Sequence, residues 1–292
     1  MAEPTVPSPA KAPEAKVGGL KDVFSGNFRQ YGMMIALVLL ILLFQVLTNG
    51  LFLQPRNVTS LLVQNGYILI LAIGMVMVII AGHIDLSVGS VAAFVGATVA
   101  LAMRDWNVPW YLAIGLGIVV GILVGIWQGF WVAYVGIPAF IVTLAGMLLF
   151  RGLDLMILNA ESIVVPDEFQ RIANGYLPAI GPNTNYHNLT LLLALIGVGI
   201  VVWMELRRRA ALKKHNMKLP SMVSSVAKVV LLSAVIIVVG MLLASYKGIP
   251  VVGLILLALV IIYSFITQKM VFGRHIYAVG GNRNAARLTG VN

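Results

Sequence analysis

His83 and Asp85 place an imidazole and a carboxylate two positions apart in the stretch Gly82-His83-Ile84-Asp85-Leu86-Ser87-Val88-Gly89-Ser90, between apolar runs at 61–81 and 91–103. Such a pair can relay a proton. It also stands where hydrocarbon is expected, and a lone ionisable group at mid-bilayer costs roughly 2.5–3.5 kcal/mol on insertion scales, so it must face a cavity or a partner. A polar loop at the membrane surface would hold the same residues at almost no cost. Both placements stay open, and in either one Gly82 and Gly89, with Asp85 and Ser87 as caps for the following helix, make a helix break.

Other polar side chains interrupt apolar runs in the same way: Gln64 and Asn65, and Thr143 after Pro138. With His83, Asp85 and Ser87 they are the candidates for lining a solute path; the alternative for each is an internal helix–helix hydrogen bond. Enzymatic chemistry has no support. There is no Gly-x-x-x-x-Gly-Lys-Ser/Thr phosphate loop, and the glycine-rich run Ala278-Val279-Gly280-Gly281-Asn282 lacks the lysine. No Gly-x-Ser-x-Gly elbow or His-Glu-x-x-His helix occurs. His83, His187, His215 and His275 lack metal-ligand spacing and cysteine is absent, so neither a metal nor another cofactor is expected.

The elements that must position these residues are membrane helices. The chain is 60% hydrophobic and 10% charged, with a mean hydropathy of +0.97, where soluble domains have about 25% charged residues. A crossing needs about 20 apolar residues. Spans are expected at 31–49, 59–81, 86–103, 110–134, 138–151, 188–205, 225–245 and 250–268. The fold class is therefore all-α: a polytopic transmembrane bundle of about eight spans, with broken or short helices near Gly82 and Pro138. The run after Pro138 is short enough to be a tilted or re-entrant half-helix.

Residues 1–30 are rich in Pro, Ala and Lys and read as a flexible tail. The first span is an uncleaved anchor, because Thr48-Asn49-Gly50-Leu51 follows it without a small-x-small cleavage pattern. The formal charge of +10 asks where the charges fall, not whether nucleic acid binds. With the N-terminus inside and eight crossings, only Arg56, Arg104, Arg151, Arg171 and Lys247 of the 20 Lys and Arg lie outside, as the positive-inside rule requires. This divides the chain into a cytoplasmic tail (1–30), a transmembrane domain (31–268) and a cytoplasmic end (269–292). The domain includes an extracytoplasmic segment, 152–187, of a length that is often a binding surface, and a basic cytoplasmic loop, 206–224.

Gly117, Gly121, Gly125 and Gly129 recur every four residues in the fourth span, a stripe read as helix packing. At the end of the chain Gly280-Gly281 should break any helix, with Asn282 capping a short helix over 284–288 that stops at Gly290. A short basic helix bearing Ala285 and Ala286 suits a groove on a partner; it is equally an ordinary surface loop.

Three stretches resemble one family. Residues 273–292 are similar to the cytoplasmic coupling loop of permease subunits from bacterial ABC sugar importers of the ribose/xylose/galactose class. Ile84-Asp85-Leu86-Ser87-Val88-Gly89-Ser90 resembles that family's most recognisable membrane motif, and Ile137-Pro138-Ala139-Phe140-Ile141-Val142-Thr143-Leu144-Ala145-Gly146-Met147 its third. With Trp127-Gln128-Gly129-Phe130-Trp131 the likeness is closest to the D-xylose branch. His83 departs from it, since many relatives carry glycine or an acidic residue nearby.

The resemblance implies a non-enzymatic permease of the bacterial inner membrane. It implies a homodimer working with a separate ABC ATPase and an extracytoplasmic sugar-binding protein, with a monosaccharide as cargo. Gly280, Gly281, Asn282, Ala285, Ala286, Arg287 and Gly290 would contact the ATPase. Family members continue with further spans, so the chain is expected to stop inside that motif and not to transport sugar unaided. A proton-driven secondary transporter using His83 and Asp85 is the rival reading.

Overall fold

Proline marks several of the helix starts. Pro109, Pro138, Pro166 and Pro250 occupy the N-cap positions of four helices, with φ of −57°, −52°, −55° and −69°. At that position the missing N–H costs nothing and the fixed φ leads the chain into the first turn. The computed structural model describes residues 28–182, 184–217 and 219–291. The predicted tail, up to residue 27, and Lys218 in the basic loop lie outside these.

The described residues fall into two compact units, divided between Gln54 and Pro55. In the first, α1 (Phe28–Leu47) ends in a turn through Asn49 and Gly50, both at positive φ. The Gln45 amide ties this turn down, donating to the Gly50 carbonyl at 3.3 Å and accepting from Leu53 N–H at 2.9 Å.

The second unit contains α2 (Pro55–Ile80), α3 (Val88–Asp105), α4 (Trp110–Ala133), α5 (Ala139–Leu158), α6 (Asp167–Asn174), α7 (Asn188–Lys214), α8 (Met222–Ala244), α9 (Val251–Lys269), α10 (Val271–Gly281) and α11 (Arg283–Leu288). Among the described residues no strand forms beyond one isolated bridge, Tyr176 to Pro250. The all-α polytopic expectation holds. Seven helices, α2 to α5 and α7 to α9, are long and apolar enough to cross a membrane, and α1 carries a shorter apolar run, Ile35–Leu47.

Packing divides the unit into neighbourhoods. α3 lies against α4 and α5, α7 against α8, and α2 against α9 and α8. Small residues allow the closest approaches: a Cβ on Gly117 would stand 2.8 Å from Val99, and one on Gly240 2.7 Å from Ala194. Among buried residues, the hydrophobic cluster at the far end of α3 joins Val99, Met103 and Ala113, with Val165 and Phe169 packed over it from the segment around α6.

Four boundaries differ from expectation. The helix after Pro138 has 20 residues, not a short half-span, because it continues through Arg151 and Asp154 to a left-handed cap at Asn159. The segment expected to be loop from Gly152 therefore begins later, and it contains the amphipathic helix α6. α7 runs past Glu205 to Lys214, so 206–214 of the expected basic loop is helical. Its arginines and lysines are good helix formers, and all but the half-buried Arg209 are exposed. Finally, α10 passes through Gly280 and ends at Gly281, where glycine was expected to stop it earlier.

Tight connections put α7's start, α8's end and α9's start together: His187 N–H donates to the Ala244 carbonyl at 2.8 Å, and Leu177 N–H to the Ile249 carbonyl at 3.1 Å. The opposite end gathers the ends of α2, α4, α7 and α9, the starts of α3, α5 and α8, and α10 with α11. That end carries Arg207, Arg208, Arg209, Lys213, Lys214, Lys269, Arg274, Arg283 and Arg287.

Candidate translocation site

The break after α2 is built by backbone hydrogen bonds. Gly82 N–H donates to the Ile79 carbonyl at 2.9 Å and His83 N–H to the Val78 carbonyl at 3.1 Å, with Gly82 at φ +82°. This is a Schellman cap, in which a residue with a Cβ would be strained. The chain then runs without regular structure, bends at Leu86 and re-enters a helix at Val88.

Asp85 and Ser87 do not cap α3 as expected. Ser87 occupies the N-cap position without a capping bond, and the Asp85 carboxylate turns back to accept from both Ser87 N–H and Ser87 Oγ–H, each at 2.7 Å. Ser87 is fully buried. With its O–H donated to the carboxylate, the Ser87 oxygen accepts from Gln128 Nε2 at 2.9 Å. The short distances fit charge-assisted bonds. Beside this chain of groups, the buried Thr143 hydroxyl accepts from Leu86 N–H at 3.1 Å and donates to the Ala139 carbonyl at 2.9 Å. The break is thus pinned to α4 through Gln128 and to α5 through Thr143.

An open cleft of about 720 Å³ lies between α2 and the α3–α4 pair. It follows α3 from Phe169 and Val99 at one end to Asp85, Ser87 and Gln128 at the other. Its walls are otherwise apolar, with Ile70 and Leu71 contributed by α2. Gln64 and Asn65 are not brought to it: both are exposed, and Asn65 donates to the Leu61 carbonyl of its own helix at 2.9 Å. Gln128 is the residue that sequence reasoning missed. Its signal was a lone side-chain amide in a helix otherwise made of apolar residues and glycine.

The glycine stripe divides. Gly117 packs on Val95 and Val99, but a Cβ at Gly121, Gly125 or Gly129 would meet no atom within 4 Å. Gly117, Gly121 and Gly125 line the cleft. Packing within this chain is therefore confined to Gly117, and the next two glycines hollow the cleft instead.

A second cavity, about 260 Å³, collects the two helix breaks and the terminal segment: Gly82, His83, Gly136, Pro138 and Arg283 all line it. His83 faces this cavity while Asp85 faces the cleft. Among the described residues no direct hydrogen bond joins the two.

Next to it, Asn282 Oδ1 caps α11 by accepting from Ala285 N–H at 3.0 Å, as expected, and Gly290 follows at φ +82°. Ala286 points inward and is 4% exposed. Asn282, Ala285, Arg287 and Gly290 are left on the surface. Gly280 lies hard against the Ile80 carbonyl at the end of α2.

A family model described as the permease component of branched-chain amino acid transport systems matches residues 57–292. The xylose transport system permease protein XylH of Haemophilus influenzae is 37% identical over 269 residues, covering 92% of this chain and 70% of the relative. XylH of Escherichia coli K12 is 36% identical over 289 residues, covering 98% and 71%. The ribose import permease protein RbsC of Bacillus subtilis is 31% identical over 268 residues, covering 92% and 62%. No solved structure matches the chain. A family model spanning 57–292 and relatives more than a third identical along nearly the whole length lead to one conclusion: the chain belongs to this family of membrane permease components.

Proposed function

We propose that this chain is the membrane-spanning permease subunit of an ATP-driven importer of D-xylose or a related monosaccharide. The observation that carries the reading is the cleft along α3, which ends on the Asp85–Ser87–Gln128 cluster directly beside the α10–α11 segment. A neutral sugar needs hydrogen-bond donors and acceptors on its way, without strong fixed charges. A carboxylate already held by a serine, with an amide beside it, offers that chemistry.

The basic end faces the cytoplasm on this reading, in keeping with the positive-inside rule, and so does the N-terminal tail 1–30. Residues 31–268 then form the transmembrane domain and 269–292 the coupling segment. The exposed groups on that segment, Asn282, Ala285, Arg287 and Gly290, meet a separate ABC ATPase; Gly280 and Gly281 join it to the membrane helices. The opposite end, with α6, receives a sugar-binding protein, and a second permease copy completes the assembly. ATP hydrolysis in the partner shifts the bundle between outward-open and inward-open states, because the two breaks and the coupling helix share one cavity.

The test is uptake of radiolabelled xylose by liposomes holding the permease with its ATPase and binding protein. Uptake should require ATP on the basic side and survive a proton uncoupler. Uptake that persists without the ATPase and stops with the uncoupler would refute the reading. Labelling of single cysteines at Arg207 and Arg283 should occur from the same side of the membrane.

A further inference from the structure

Away from the cleft, the α7–α8 hairpin buries polar atoms that the chain satisfies only in part. Glu205 of α7 and Ser225 of α8 are 8% and 6% exposed. Glu205 Oε1, Arg209 Nη1 and Ser225 Oγ are buried without a well-formed hydrogen bond, although the Ser225 hydroxyl faces the Glu205 carboxylate and Arg208 and Lys228 stand near it. The other oxygen of Glu205 has only a long contact with Arg208, at 3.5 Å. A buried unsatisfied group costs about 1–3 kcal/mol, more if charged, so a carboxylate oxygen and a guanidinium nitrogen left incompletely bonded in one place favour an occupant.

These atoms line a groove of about 200 Å³ between the two helices. Its walls are Val202, Leu206, Val226 and Val230, side chains 38–63% exposed and open outward. The groove is therefore polar at its base and oily along its sides. It lies at the basic end of helices of membrane-spanning length, level with the Arg207 guanidinium stacked 5.0 Å over Trp203. Arginine and tryptophan mark the headgroup depth of a bilayer.

We propose that this groove is a headgroup site for an ethanolamine phospholipid. The ammonium donates to Glu205 Oε1, the phosphate accepts from Arg209 Nη1, and the acyl chains lie along the valine and leucine walls. An anionic lipid such as phosphatidylglycerol satisfies the arginine but offers the carboxylate only neutral hydroxyl donors, without a compensating positive charge. A choline lipid carries the same charges but has no N–H to give. Only a headgroup with both an N–H cation and a phosphate completes both ends, and water fits poorly between apolar walls open to lipid.

The experiment is native mass spectrometry of the full chain in detergent with equimolar phosphatidylethanolamine, phosphatidylcholine and phosphatidylglycerol. Phosphatidylethanolamine should be retained about tenfold over phosphatidylcholine, and stepwise N-methylation of the headgroup should erode the preference as N–H groups are lost. Glu205→Met should remove the preference, and Arg209→Gln should weaken all phospholipids. Equal retention of the ethanolamine and choline lipids by the unmodified chain would overturn the proposal. So would displacement by phosphatidylglycerol or by inorganic phosphate, which would mark a simple anion site. The methylation series needs no variant, so the proposal stays testable if Glu205→Met does not fold.

Discussion

Gly280 packs directly against the carbonyl of Ile80, the residue that ends α2, so the terminal helix pair touches the chain two positions before the Gly82 turn. No side chain fits there, because the obstacle is backbone. Gly280→Val should force α10 off the end of α2 and cost about 1–3 kcal/mol, the usual range for overpacking. Thermal unfolding in detergent should drop by several degrees. Gly281→Ala meets no atom within 4 Å and is the control. An unchanged unfolding temperature for Gly280→Val would show that α10 is not seated on α2.

Thr143 holds the backbone of the break. Its hydroxyl is the acceptor for Leu86 N–H, so Thr143→Val, alike in shape, leaves that N–H without a partner at a cost of about 1–3 kcal/mol. Hydrogen exchange of residues 84–88 should accelerate by about tenfold or more. Thr143→Ser keeps the hydroxyl and should exchange at the parental rate. Equal exchange in all three proteins would count against the clasp.

The spans were legible because hydropathy and length are summed over many residues, and a misread end hardly changes the sum. Their ends were not legible where charge and helix propensity disagree. Arg151 and the Arg207–Arg209 run look like the close of a membrane segment, yet arginine prolongs a helix well, and α5 and α7 continue beyond them. Within the site, Ser87 and Thr143 could be picked out as polar residues in apolar surroundings. Gln128 could not be linked to Ser87, because 41 residues separate them and only the packing of α4 on α3 closes the gap. The same packing decides which glycines are covered, and a four-residue spacing alone carries no such information.

The cleft makes opposite demands on neighbouring glycines of α4. Gly121→Leu or Gly125→Leu places a side chain into open space along the proposed sugar path. Each should leave the unfolding temperature at or above the parental value, since leucine favours helix by about 0.5–1 kcal/mol over glycine. Uptake by the assembled importer should fall more than about tenfold, the scale of one misfit of about 1.4 kcal/mol or more. Gly117→Leu meets Val99 instead and should lower the unfolding temperature. Full uptake by both Gly121→Leu and Gly125→Leu would move the path elsewhere.

His187 fastens the segment after α6 to the bundle. One ring nitrogen, Nε2, lies 3.0 Å from the Leu177 carbonyl, and the other, Nδ1, lies 2.9 Å from Thr190 Oγ1 at the start of α7. The neutral ring with its proton on Nε2 satisfies both, donating to the carbonyl and accepting from the hydroxyl. His187→Ala removes a helix cap, worth about 0.5–2 kcal/mol, together with the tether to Leu177. Thermal stability should fall, and limited proteolysis should cut between 178 and 186 at a higher rate. His187→Asn restores a good capping group but is too short to serve Leu177 as well, so it should recover most of the stability and little of the protease resistance. If His187→Asn recovered both equally, the contact with Leu177 would have no part in holding this segment down.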